Sequence, residues 1–289
     1  MRKIRKHIPT ILLVSVFLVG LSLLLYPTVS DYWNQLHQTR AISNYMEEVA
    51  DLDNDTYERL WAEAEGYNNT LPERPDRMKP TEEEHAAYEA LLDISGTGIM
   101  GYIEIPAINC SLPIYHGTEE SVLQIAVGHI EGSSLPVGGS TTHCVLSGHR
   151  GLPSARLFTD LDKLTEGDTF LLHILDETLT YEVDKIQIIE PHEVDALRIE
   201  EGQDYCTLMT CTPYGVNSHR LLVRGRRIVT QEGPKTVRVT ADARQIEPVI
   251  VAPVVAVPIL MILLVWLLVR TGRKRQNSRE DKRNTDIEE

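Results

Sequence analysis

The chain has 289 residues and a formal net charge of −14, enough for one or two domains. The acidity is concentrated in residues 27–247, with 17 basic and 37 acidic side chains, a net of −20. This argues against a nucleic-acid partner and reads as a solvated extracellular surface. Four cysteines without closely spaced Cys or His pairs exclude a zinc site of familiar spacing, and nothing in the chain asks for a cofactor.

In chain order, a tail at 1–7 carrying Arg2, Lys3, Arg5 and Lys6 leads into an apolar run at 8–26. A second apolar run, 249–269, precedes Arg270, Arg273, Lys274 and Arg275 in the tail 270–289. Each run is about the length a helix needs to cross a bilayer. The basic flanks predict two transmembrane helices, both ends in the cytoplasm and the middle outside the cell membrane. A cleaved signal peptide ending near Thr28 and Ser30 is the alternative for the first run, although an A-x-A-like cleavage pattern is absent.

Residues 27–95 predict a helical arm. Leu36, Tyr45, Met46 and Val49 fall at helical spacing, Asp55 is placed as the cap of a second piece carrying Leu60 and Trp61, and Gly66 as its stop. The proline-rich stretch 67–80, with Leu71 to Pro80 at its centre, reads either as a linker or as a lid over a groove. Thr81 to Glu84 is a capping box that opens another helix, with Tyr88, Leu91 and Leu92 on its apolar side.

From Gly96 the pattern turns to short strands. Ile103 and Ile105 alternate with Tyr102 and Glu104, and further runs cover 144–146, 169–175, 179–189, 205–210 and 221–229. Short strands between Gly/Pro turns, without a βαβ rhythm, predict a mainly β barrel or sandwich over 96–230. A juxtamembrane linker follows at 231–248.

The chemistry concentrates in two places. One strand-like run ends at Cys211, a turn follows with Pro213, Gly215 and Asn217, and the next run starts at Arg220. Pairing those runs brings a thiol and a guanidinium to the same end of a sheet. Earlier, His149 sits in a glycine-flanked loop from Ser147 to Gly151. An imidazole or cation lowers a thiol's pKa, and a fixed guanidinium suits an oxyanion better than proton transfer. These are parts of a cysteine acyl-transfer site. Cys206 and Cys211, five apart on one strand, face opposite sides and so do not pair. Cys110 and Cys144 read as buried free thiols. His116 and His129 read as structural, His143 and His219 lie near the site in sequence, and His219 is the other candidate base. Asp160 and Asp162 either orient His149 or are turn residues, and Arg224 faces either the groove or solvent.

The stretch from Gly96 to Arg227 resembles the sortases, membrane-bound transpeptidases of Gram-positive surfaces. The resemblance rests on Thr210-Cys211, on the run from Arg220 to Gly225 and on the loop from Leu146 to Gly151. The segments Met100 to Pro106, Leu112 to Gly117 and Gly128 to Gly139 are similar to class C, pilus-assembling members. The resemblance implies a closed barrel of about eight strands. It implies Cys211 as the nucleophile on the Thr carbonyl of a Leu-Pro-x-Thr-Gly sorting signal, Arg220 as oxyanion or substrate holder, and His149 as acid and base. Its implied partners are pilin subunits, whose lysine amine accepts the acyl group, or surface proteins carrying sorting signals. Class C lids carry an Asp-Pro-aromatic motif. Here Asp76 keeps the acid and Met78 is the apolar residue offered as plug, while the proline and the ring are missing. Attachment of proteins to the cell wall and a peptide-binding barrel without turnover remain the alternatives, the second disfavoured by the intact Cys, His and Arg set.

Overall fold

The computed structural model describes residues 2–230, with side chains from residue 12 onward. The second apolar run, 249–269, and the linker before it lie outside the described residues. Helix α1 (Arg2–Ala50) starts with the basic residues Arg2, Lys3, Arg5 and Lys6 and continues through the apolar run 8–26. Among the described residues it is the one helix long and apolar enough to cross a membrane, by length and composition. Its apolar stretch has a mean hydropathy of 2.3 and is not buried by the rest of the chain. Residues 30–230 form a separate compact unit, the barrel with its helical arm.

The arm differs in detail from the sequence expectation. Asp53, not Asp55, caps α2 (Asn54–Thr70), because its carboxylate accepts from the Thr56 amide at 2.8 Å. The helix runs through Gly66 to Thr70. Tertiary contact overrides the glycine there: Asn68 on the last turn is buried and exchanges two hydrogen bonds with the Leu135 backbone, at 3.1 and 2.6 Å. The capping box of α3 (Glu82–Glu89) forms as expected, with Thr81 and Glu84 bonding each other's backbone amides.

Eight strands follow: β1 (Ile99–Ile105), β2 (Cys110–His116), β3 (Val127–His129), β4 (Thr142–Ser147), β5 (Thr169–Ile174), β6 (Glu177–Ile189), β7 (Asp204–Thr212) and β8 (His219–Ile228). A short helix, α4 (Glu120–Leu123), joins β2 to β3. The sheet closes as a barrel in the order β1-β2-β3-β4-β7-β8-β6-β5. Alternation along β5 and β7 sends Phe170, Leu172, Ile174, Cys206 and Leu208 into one core with Ile103, Ile105, Leu146 and Tyr181. On the outside of β1, Tyr102 and Ile99 are also buried, because Ile42 and Tyr45 of α1 lie over them. The Tyr45 hydroxyl donates to the Met100 carbonyl at 2.9 Å and accepts from the Leu175 amide at 2.7 Å, joining α1 to the barrel wall.

Two strand pairs are parallel, β2 with β3 and β4 with β7. The second sets up the site. Parallel strands end on the same side, so the chain leaves β4 and β7 at one rim of the barrel. Antiparallel β8 starts at that rim. The loop after β4, the last residues of β7 and the first of β8 are thereby gathered although they are distant in sequence.

Candidate active site

Strand β7 carries Cys211 one residue before its end, and the register places Arg220 of β8 directly opposite. Partners so placed in an antiparallel pair have Cα atoms about 4.5–5.5 Å apart. Cys211 is half-buried, and its odd offset from buried Cys206 turns it to the other face. The Arg220 guanidinium donates to the carbonyls of Asn217 at 3.3 Å and His219 at 3.1 Å. It makes no ion pair among the described residues, so its charge is not neutralised by a neighbouring carboxylate.

The loop bearing His149 is pinned to the same strand. The Gly148 amide donates to the Met209 carbonyl at 3.0 Å, and the buried Thr210 hydroxyl donates to the Gly148 carbonyl at 2.7 Å. The residues just before Cys211 thus hold the residue just before His149. Glycine is required here: a Cβ on Gly148 would meet the Phe158 ring at 2.7 Å. Gly151, at φ +77°, lies so close to Tyr214 that a Cβ would meet that ring at 2.8 Å. The histidine loop and the turn after Cys211 are therefore interlocked. Arg150 reinforces this with a salt bridge to Asp162 and its guanidinium 6.0 Å from the Tyr214 ring centre.

The acid nearest His149 is one the sequence did not suggest. Glu120, on α4, lies 3.8 Å from its Nε2. Asp160 is instead taken up by Arg156 and Lys163, and Asp162 by Arg150. Helix α1 reaches the same loop from outside: the Asn34 amide donates to the Ser154 carbonyl at 2.7 Å, and the Arg156 amide to Asp31 at 2.9 Å. A cavity of about 200 Å³ opens beside these contacts, between α1 residues such as Trp33 and His37 and the barrel residues Pro113, Tyr115 and Ile125.

The other candidates are placed elsewhere. His116 holds the Gly98 and Leu91 carbonyls at 3.0 and 2.7 Å. His129 lies in the core against the Tyr88 hydroxyl at 2.9 Å. His143 is buried between the Arg198 carbonyl and the Thr207 hydroxyl, both at 2.7 Å, and burial pushes its pKa down to about 4. His219 is exposed at the first position of β8 and bonds Ser218. Arg224 faces outward, pairing with Asp184 at 2.8 Å and lying 4.0 Å over the Tyr205 ring.

The 71–80 stretch is anchored through Arg77. Arg77 donates to the carbonyls of Gly132 and, at 2.8 Å, Leu197. Leu197 packs with Leu222 and beside Met209, which lie two residues from Arg220 on β8 and from Cys211 on β7. Asp76 is exposed and Met78 half-buried on this strap along the barrel wall. The fork of donors on Arg77 finds two backbone carbonyls there, a partner choice that proline spacing cannot reveal. Among the described residues no His, Cys, Asp and Glu cluster could hold a metal ion.

A family model described as Sortase domain matches residues 103–228, the span from β1 to β8. The crystal structure of sortase C1 from Streptococcus agalactiae matches at 52% identity and a TM-score of 0.64, over 66% of this chain and 98% of that one. The chain belongs to the sortase family. The sortase C structure of Streptococcus pneumoniae is similar at 45% identity and a TM-score of 0.59, covering 66% of this sortase and 97% of that chain. Sortase D of Bacillus subtilis (strain 168) is 31% identical over 131 residues, so this sortase spans 63% of that relative's length. Class C enzymes are thus among its structural neighbours, and the closed eight-stranded barrel expected from sequence is the fold found.

Proposed function

We propose that this sortase is a cysteine transpeptidase that joins pilin subunits, with Cys211 as nucleophile, His149 as acid and base, and Arg220 as oxyanion or substrate holder. The observation that carries the reading is the gathering of these three at one rim, with Arg220 across the ladder from Cys211 and the His149 loop pinned through Thr210. The Cys211 thiolate attacks the Thr carbonyl of a Leu-Pro-x-Thr-Gly-like signal. Arg220 stabilises the negative oxygen of the tetrahedral intermediate. The Thr–Gly bond breaks, His149 gives its proton to the departing glycine amine, and a thioester remains. A lysine amine of another subunit, deprotonated by His149, then displaces Cys211 and forms an isopeptide bond. The pilin as substrate class is taken from the Streptococcus pneumoniae relative, whose structure bears on catalysis and pilin substrate specificity. The apolar run 8–26 of α1 and the run at 249–269 would anchor the enzyme as a two-pass protein, with residues 27–248 on the extracellular face.

The test uses the full chain in detergent micelles, incubated with a sorting-signal peptide and a pilin carrying an acceptor lysine, and mass spectrometry of intact protein and product. A thioester on Cys211 followed by a Thr–lysine isopeptide is the expected result, with neither formed by Cys211→Ala. Product formation by Cys211→Ala refutes the assignment. A thioester resolved only by water or by cell-wall peptide amines refutes pilin joining and favours cell-wall attachment.

A further inference from the structure

The barrel interior holds a second pair of thiols that this chemistry does not use. The parallel register of β4 and β7 sets Cys144 directly opposite Cys206. They are 2% and 0% exposed, in the same core as Leu146 and Leu208 two residues on. Both are free thiols in this structure. Neighbouring strands lie about 4.7–4.9 Å apart. A disulfide accepts Cα separations of about 4.4–6.8 Å, so the register meets the Cα requirement, and both side chains enter the same core. The other two cysteines are not competitors: Cys211 is on the opposite face of β7, and Cys110 lies against the Leu157 carbonyl at 3.9 Å.

We propose that Cys144 and Cys206 are an oxidisable pair that forms a disulfide across the parallel β4–β7 seam as the exported barrel folds. The oxidant is a protein or low-molecular-weight disulfide. One thiolate attacks an oxidant sulfur and releases one reduced thiol. The second thiolate then displaces the other half of the oxidant from the mixed disulfide. The two cysteines lose two protons and two electrons in all, and the oxidant is reduced to two thiols. With both sulfurs sealed in the finished core, exchange takes place before the seam closes, and the bond is afterwards shielded from reductants. The seam is the functional one: His149 follows Cys144 by five residues, and Cys211 follows Cys206 by five. The bond would fasten together the two strands that carry the proposed acid and nucleophile, and close a loop of about 60 residues, long enough to restrict the unfolded chain strongly.

The experiment refolds the denatured, reduced full chain into detergent micelles with a buffer of reduced and oxidised glutathione. A Cys211→Ala background removes the half-buried site thiol from exchange. Thiols are then blocked with N-ethylmaleimide under denaturing conditions and counted by mass. The expected result is one adduct, at Cys110, rising to three when the chain is reduced first. A peptide map should join Cys144 to Cys206, and the oxidised form should melt about 5–15 °C above the reduced one. Three adducts without prior reduction, a bond mapped to another cysteine, or an oxidised form melting no higher than the reduced one overturns the proposal. Cys206→Ala in the same background should leave both remaining thiols free. Should that variant fail to fold, the count and map on the parent decide alone.

Discussion

Thr210→Val tests how the site is assembled. The substitution keeps the branched shape and removes the hydroxyl that donates to the Gly148 carbonyl at 2.7 Å in a buried setting. The methyl that replaces it cannot donate, so the carbonyl loses this bond where water has little access. Leaving a buried acceptor unsatisfied costs about 1–3 kcal/mol. For a unit of this size that is roughly 2–10 °C in Tm. The kinetic effect should exceed what this stability loss implies. Gly148 precedes His149, and a shift of about 1 Å in a catalytic group costs about 10²-fold in rate. The expected result is a fall of about 10- to 100-fold in kcat/KM for peptide cleavage, while alkylation of Cys211 by a small reagent, which needs no aligned acid for a leaving amine, changes much less. Thr210→Ser keeps the donor and should recover most of the rate. A Thr210→Val enzyme with lowered Tm but normal kcat/KM would refute the claim that this bond places His149.

Arg220→Lys keeps the charge and loses the planar fork of donors, so turnover should drop about 10²–10³-fold while Cys211 still labels; near-normal turnover in a peptide assay would show the fork is dispensable. Arg77→Ala removes the bonds to the Gly132 and Leu197 carbonyls. It should lower Tm by a few degrees and, by releasing the 71–80 strap, raise the second-order alkylation rate of Cys211 modestly; an unchanged rate would show that the strap is only a linker. His143, with a folded pKa near 4 against about 6.5 in the unfolded chain, binds its proton more weakly when folded. The unfolded state therefore takes up more protons between pH 6.5 and 4, and stability present above pH 6.5 is lost as pH falls through that window, at up to about 1.4 kcal/mol per unit. Urea unfolding at pH 7 and pH 5 should show this loss, and His143→Gln should reduce it; an unchanged slope in the variant would assign the loss elsewhere.

Six of the eight strands, all but β2 and β3, the α3 capping box and the residues of the proposed site could be picked out in the sequence because each is a local pattern. Alternation marks β5 and β7, Thr81 and Glu84 are three apart, and Cys211 and Arg220 flank one turn. Opposite faces for Cys206 and Cys211 follow from strand parity alone. What only the tertiary structure decided are pairings between distant segments. The parallel seam of β4 and β7 sets Thr210 under Gly148 and Cys144 beside Cys206, separated by about 60 residues of chain. Glu120 reaches His149 from α4, Asp31 and Asn34 reach its loop from α1, and Arg77 draws the 71–80 stretch to the barrel wall. A side chain's spacing tells which face it occupies. Its partner is fixed by which strands lie side by side and in what register, a property of the closed barrel as a whole rather than of any one segment.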